Sequence, residues 1–484
     1  MKKIFVIMMT ICLLVAAFCI TTFATEADTT NAPAEGVVLR VSALKKDGST
    51  VLINDYTDFA QGWTAAMEIA VNPTMMKNND YDRIVVDLCA DWNAENGVFG
   101  PKGKGFKWDT ICFEEEVRMT VNLNKHTINR GLTEWEYNGE VIYIDEEADV
   151  IINDGTITGG FSGNGAGGIH IKDDANVYLY NVNVVDNAVD DDDGAGIAVY
   201  DGATLTMHGG KISNNKMTKT FGAVNFGGGV YVEDASASFY KVEFSYNTNL
   251  HEDNYGFGIA IAMIDSSVVI EWCRFYYNGN KNPATGIGEC NSIIYVSGSD
   301  FVVRNSNFLE NGYDGELDYM DSLIEFKHST VTIDSCDFSN NKQTYILSCN
   351  DSSSTLNVTN SDFRRNQSLT LYCPGSSECT FIKSKFDRGV PGDGYSSTFY
   401  NCYHAYSLHL SNCSVGGATF YRENKVDGYY YASIFGEGSL TMIISLVALV
   451  ASVASIGVSF ALRKKKAVPA TANNAAKTDE EDEE

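Results

Sequence analysis

From residue 150 onward, apolar side chains return in one register: places one, three and eight of each segment are apolar, and Asn often stands at place eleven. The register recurs every 23 to 33 residues, most clearly at 177–187, 205–215, 237–247, 268–278, 301–311, 331–341 and 356–366. Less complete copies start at Val150, Cys379 and Leu408; they keep Ile157, Phe386 and Val415 at place eight and lack the Asn. A second alternation of strand type precedes many copies, as in 168–171, 196–199, 229–232 and 258–261. Each unit thus holds two or three short strands joined by Gly, Asn, Asp and Ser, too little to enclose a core, so the units must stack. Stacking at about 4.8 Å per rung turns place eight into an internal column of Val184, Ile212, Phe244, Phe275, Phe308, Phe338 and Phe363. Asn at place eleven falls where the chain turns, and amides stacked at that spacing hydrogen-bond from rung to rung.

The stretch 37–131 lacks the register and predicts a helix around 63–70 with strands at 83–88 and 117–123. A cap is needed there, because a first rung would otherwise expose its apolar column and its strand edges; Trp63, Trp92 and Trp108 are the expected cover. At the chain start, Lys2 and Lys3 precede an apolar run over 4–20, and Thr22-Phe23-Ala24 reads as a cleavage site, so 1–24 is expected to be a signal peptide. At the other end, residues 440–462, opening at Leu440 and closing at Leu462, carry no charge and match a membrane-spanning helix. Arg463, Lys464, Lys465 and Lys466 follow and place the C-terminus in the cytoplasm. The expected plan is cap and first coils over 25–139, repeats over 140–420, a juxtamembrane segment over 421–439, the span, and a cytoplasmic tail over 463–484. That describes a single-pass protein of the cell membrane with its body outside.

Two motifs recur within the register. Phe-x-x-Asn stands at 244–247, 275–278, 308–311, 338–341 and 363–366, and Gly-Gly-Ile/Val at 167–169 and 228–230. On these residues, over about 140–420, the chain resembles right-handed parallel β-helix proteins of the pectin-lyase-like superfold and, more narrowly, the short repeats of chlamydial polymorphic outer-membrane proteins. The resemblance implies an all-β, right-handed parallel β-helix solenoid with an N-terminal cap, to which the sequence adds one C-terminal transmembrane helix. Members of the chlamydial family end in an autotransporter barrel, for which this chain has a single helix instead.

The formal charge of -28 repels phosphate backbones and argues against nucleic acid as a partner. Among the acids, Asp173, Asp201 and Glu233 each stand four residues before a repeat start, so stacking is expected to bring their carboxylates together, as glycoside chemistry requires. Asp190, Asp191, Asp192 and Asp193 form an oxygen-rich loop, the one place where the sequence offers calcium a site; no other cofactor is expected. The His residues show no zinc-type pairing, and the clustered Asp, His and Arg-x-Lys sets of polysaccharide-degrading β-helix families are missing. Outside the leader ten Cys remain: Cys89 with Cys112 and Cys349 with Cys373 are candidate disulfides, whereas Cys273 and Cys336 fall two rungs apart and read as buried thiols. Exposed Tyr276, Tyr277, Tyr400, Tyr403 and Tyr406 offer a binding surface, and Tyr429 to Tyr431 a membrane-interface anchor. The sequence favours a surface adhesin or stalk that binds an extracellular glycan or protein. The alternative is a membrane-tethered polysaccharide hydrolase or lyase using Asp173, Asp201 and Glu233.

Overall fold

A computed structural model describes residues 33–386, apart from 219–223, 251–255, 280–291, 313–321, 350, 367–368 and 373–376, and beyond them the backbone of short strands between residues 397 and 431. The leader, the 440–462 segment and the tail lie outside the described residues, as do the side chains of Tyr400, Tyr403, Tyr406 and Tyr429 to Tyr431. Among the described residues no helix is long and apolar enough to cross a membrane.

The chain enters through a hairpin, Leu39–Lys45 with Thr50–Tyr56, and the helix Phe59–Ala70, whose first turn is capped by the Asp58 carboxylate accepting from the Gln61 N–H at 2.7 Å. A short second helix, Pro73–Asn78, which the sequence pattern did not suggest, leads into Tyr81–Leu88. That strand pairs antiparallel with Leu39–Lys45 on one side and parallel with Arg118–Asn122 on the other, so the cap's last strand is also the solenoid's first. Trp63 and Trp92 are buried under this entry, with the Trp63 indole N–H donating to the Gly105 carbonyl at 2.8 Å. Trp108 is not part of the cover: it is 42% exposed, at a left-handed turn (φ +53°) that turns its ring outward.

From there the strands wind into one long sheet and a second sheet running from Phe106–Lys107 to Leu369–Tyr372, with a small third sheet starting at Phe161–Ser162. Rung-to-rung pairing is parallel and in register, for example Val177↔Leu205 with Val184↔Ile212, then Phe244↔Phe275 and Phe275↔Phe308. The place-eight column is buried throughout. Its five Phe rings stack at centroid spacings of 4.5, 4.6, 4.6 and 4.7 Å, within 9° of parallel. Each such ring contributes roughly 2–3 kcal/mol by burial.

The Asn ladder forms as the spacing requires. In each rung the Asn backbone N–H and side-chain Nδ2 both donate to the next rung's Oδ1; for Asn215 to Asn247 both distances are 3.1 Å. Nδ2 also donates back to the place-eight carbonyl of the preceding rung, as from Asn278 to Phe244 at 2.9 Å. A second ladder was not foreseen: Ser266, Ser299 and Ser329 each donate their backbone N–H to the hydroxyl of the next Ser at 3.0–3.1 Å. Cys273 and Cys336 sit in a similar column on either side of Ser306, and burial raises both thiols to about 12. The expected Cys89–Cys112 bridge is not formed; both are thiols, because Cys89 follows a strand of the long sheet while Cys112 lies within Thr110–Phe113 of the second. Cys373 lies outside the described residues.

Candidate functional site

Where the chain leaves the second sheet, the turn residues are left-handed: Glu115 and Glu116, Glu146 and Glu147, Asp173 and Asp174, and Asp201 all have φ between 51° and 63°. Backbone bonds fix these turns over one another, Glu116 N–H to Glu146 O at 2.9 Å, Glu147 N–H to Asp173 O at 2.9 Å and Asp174 N–H to Asp201 O at 3.0 Å. Their side chains line an open cleft of about 750 Å³. The stacking expected for Asp173 and Asp201 is therefore present, and Glu233 is displaced from it by one position. Val199 pairs with Val232, so Asp201 falls beside Asp234, and Glu233 falls beside Tyr200. Between strands the Asp201 turn holds Gly202, for which the tighter turn after Val232 has no counterpart, so counting back from the repeat start misaligns the acids.

The acids of 190–193 do not converge. Asp192 accepts from the Gly165 N–H (2.6 Å) with Oδ2 and from the Asp193 N–H (2.7 Å) with Oδ1, while Asp193 Oδ1 accepts from the Phe226 N–H at 2.6 Å. They tie neighbouring rungs to one another. Among the described residues no group of three or more His, Cys, Asp or Glu is placed to hold a metal ion.

Perturbed groups also lie on the second sheet and in the segments that flank its strands. Tyr143 and His170 are register partners and meet edge to face at 5.2 Å. Burial lowers the His170 imidazole to about 4, and Lys172 adds to the effect. Glu140 is 1% exposed, its Oε2 has no hydrogen-bond partner among the described residues, and burial raises it to about 7 against the pull of Arg130. Burial also raises Asp145 and Asp192, with the Tyr143 hydroxyl bond opposing it at Asp145. Glu140 is sealed from solvent and Asp192 is occupied by backbone donors, which leaves neither free to act on a ligand. Farther along, His328 Nδ1 lies 2.9 Å from Ser353 Oγ and 4.0 Å from Asp351 Oδ2; one nitrogen faces both partners, so no Ser-His-Asp relay exists there.

A family model described as right handed beta helix region matches residues 111–389. The chain belongs to the right-handed β-helix family. No curated protein and no solved structure matches it.

In this β-helix protein the best-built exposed surface lies on the segment between Arg130 and Glu140. Arg130 is fully buried and donates to the carbonyls of Gly97 (3.1 Å), Asn138 (2.7 Å), Trp108 (3.2 Å) and Glu140, and to Glu136 Oε2 at 3.2 Å. Glu136 bridges to Ser162, and Asn138 Oδ1 accepts from Asn164 Nδ2 at 3.1 Å. With Glu136 and Asn138 held against the rung, the residues that alternate with them project outward: Trp135 is 55% exposed and Tyr137 67%. Trp135 rests on Gly163, where an added Cβ would lie 2.8 Å from its Cε3. Arg130 thus fixes the backbone of Trp108 and the anchors of Trp135 and Tyr137 at once. Sequence reasoning missed Trp135 and Tyr137, although the acid–aromatic alternation Glu134-Trp135-Glu136-Tyr137 was a usable signal.

Proposed function

We propose that this β-helix protein is a binding scaffold, a surface adhesin or stalk that engages an extracellular glycan or protein. The carrying observation is the trio Trp108, Trp135 and Tyr137, exposed aromatic residues organised by one buried Arg130. Rigid, pre-positioned aromatic rings lose little entropy on binding and supply most of the energy of a small interface. In this reading the 440–462 segment tethers the scaffold to the cell membrane, with the rungs outside. The test is a glycan and protein array probed with the full chain beside a Trp108→Ala/Trp135→Ala variant; a ligand held equally by both removes the trio as the site.

The stacked Asp173 and Asp201 keep a second reading open, that of a tethered polysaccharide hydrolase or lyase. A reducing-end assay decides it: turnover that disappears in Asp201→Asn makes the protein an enzyme, and binding without turnover leaves it an adhesin.

A further inference from the structure

Lysines of this chain repeatedly lie over its own aromatic rings. Lys107 Nζ is 4.7 Å from the Trp108 ring centroid and 5.0 Å from that of Tyr143, and Glu114 Oε1 at 2.6 Å completes its surroundings. Lys172 lies 5.9 Å from the Tyr143 ring, with Asp173 Oδ2 at 2.8 Å. Lys241 over Tyr240 (4.9 Å) and Lys327 over Tyr295 (5.2 Å) repeat the arrangement. An ammonium above an aromatic ring is therefore a contact this fold makes several times, at Lys107 and Lys172 with a carboxylate beside it.

Trp135 and Tyr137 offer the same chemistry outward. No Lys or Arg of the described residues lies over either ring. Glu134 precedes the indole in the chain and is exposed with it. The indole rests on Gly163 through Cε3 and Cζ3 and is 55% exposed, which leaves ring surface for a partner. Arg130 is buried against Glu136 and Glu140, and the chain as a whole carries -28, so an approaching anion is repelled and a cation drawn in.

We propose, on the basis of the binding reading above, that Trp135 and Tyr137, with Glu134 beside them, receive a cationic segment of a protein partner, a loop or tail presenting Lys or Arg. The guanidinium or ammonium stacks on the exposed indole, and the neighbouring Glu134 carboxylate adds charge attraction. Because a strongly acidic chain attracts any polycation, the test holds net charge constant. Fluorescence anisotropy of a labelled Lys/Arg-Gly nonapeptide is measured with the full chain and with Trp135→Ala, Tyr137→Ala and Trp135→Phe, circular dichroism checking the fold of each. Trp272→Ala removes another exposed indole and serves as the control. Each of the two Ala variants is expected to weaken binding about three- to fivefold, Trp135→Phe less, and Trp272→Ala not at all. Peptide affinity unchanged in both Ala variants overturns the proposal. So does a neutral glycan that binds the native chain and is lost in Trp135→Ala while the peptide is not; the aromatic trio then remains a binding site for another ligand. If no ligand of either class responds to these substitutions, the binding reading falls with it.

Discussion

Two buried side chains near the first rungs do most to shape the surface above them. Arg130 satisfies four carbonyls and one carboxylate from segments that would otherwise be loosely joined. Arg130→Met keeps the volume and orphans those acceptors, so a loss of about 3 kcal/mol is expected in urea denaturation, together with weaker ligand binding. Glu140 gives a pH signature. Its carboxyl ordinarily titrates near 4.5 and is held near 7 in the fold, so the native state binds that proton more tightly. The associated stability is complete below about 4.5 and is lost as pH rises through about 7. Native protein should lose roughly 2 kcal/mol between pH 5 and 8 relative to Glu140→Gln, whose stability lacks this slope. Denaturant midpoints for the pair at both pH values check the sign.

At the scale of the rung, stability comes from columns, and the two best columns were legible before any coordinates. Place-eight Phe and place-eleven Asn recur at a spacing that leaves one stacked solution, so their burial and hydrogen bonding followed from arithmetic on the sequence. Ser266, Ser299 and Ser329 were illegible as a ladder because the same column holds Ala203 and Ala235 in earlier rungs, and a small residue carries no visible mark of a hydroxyl bond. Glu233 was misplaced for a related reason: a turn one residue shorter leaves the strand pattern intact while shifting the acid. Trp135 and Tyr137 lie outside the repeat, where only their short alternation with Glu134 and Glu136 marks them. Asn278→Ala tests the ladder directly. It strips Asn247 of its Oδ1 acceptor and the Phe244 carbonyl of a donor, both in dry surroundings, and should cost about 2–4 kcal/mol. Phe308→Ala should cost about 3–5 kcal/mol by opening the ring stack. Thermal unfolding of both variants is the measurement.

Over the whole molecule, in-register pairing makes rungs interchangeable units. Excising residues 177–204 joins Asn176 to Leu205, which takes the place Val177 vacates, and brings Ile212 over Ile157. The shortened chain is expected to fold with unchanged far-ultraviolet circular dichroism and a smaller hydrodynamic radius. A collapse to an unfolded spectrum would mean that the removed rung holds something its neighbours lack. Such modularity lets the N-terminal rungs carry a surface of their own while later ones add length.

Each Asn of the ladder hands its backbone N–H and one amide hydrogen to the following coil and its other amide hydrogen to the coil before, as Asn247 does. A growing stack therefore always ends in a coil whose Asn has its oxygen engaged and its backbone N–H unspent. That end is a template waiting for the following turn of chain, whereas at the other end the first ladder oxygen, Asn187 Oδ1, already accepts from the Gly160 N–H. Folding that begins at the cap during synthesis can advance like a zip, each added coil completing the one before it, and a chain that emerged tail first would lack that guide.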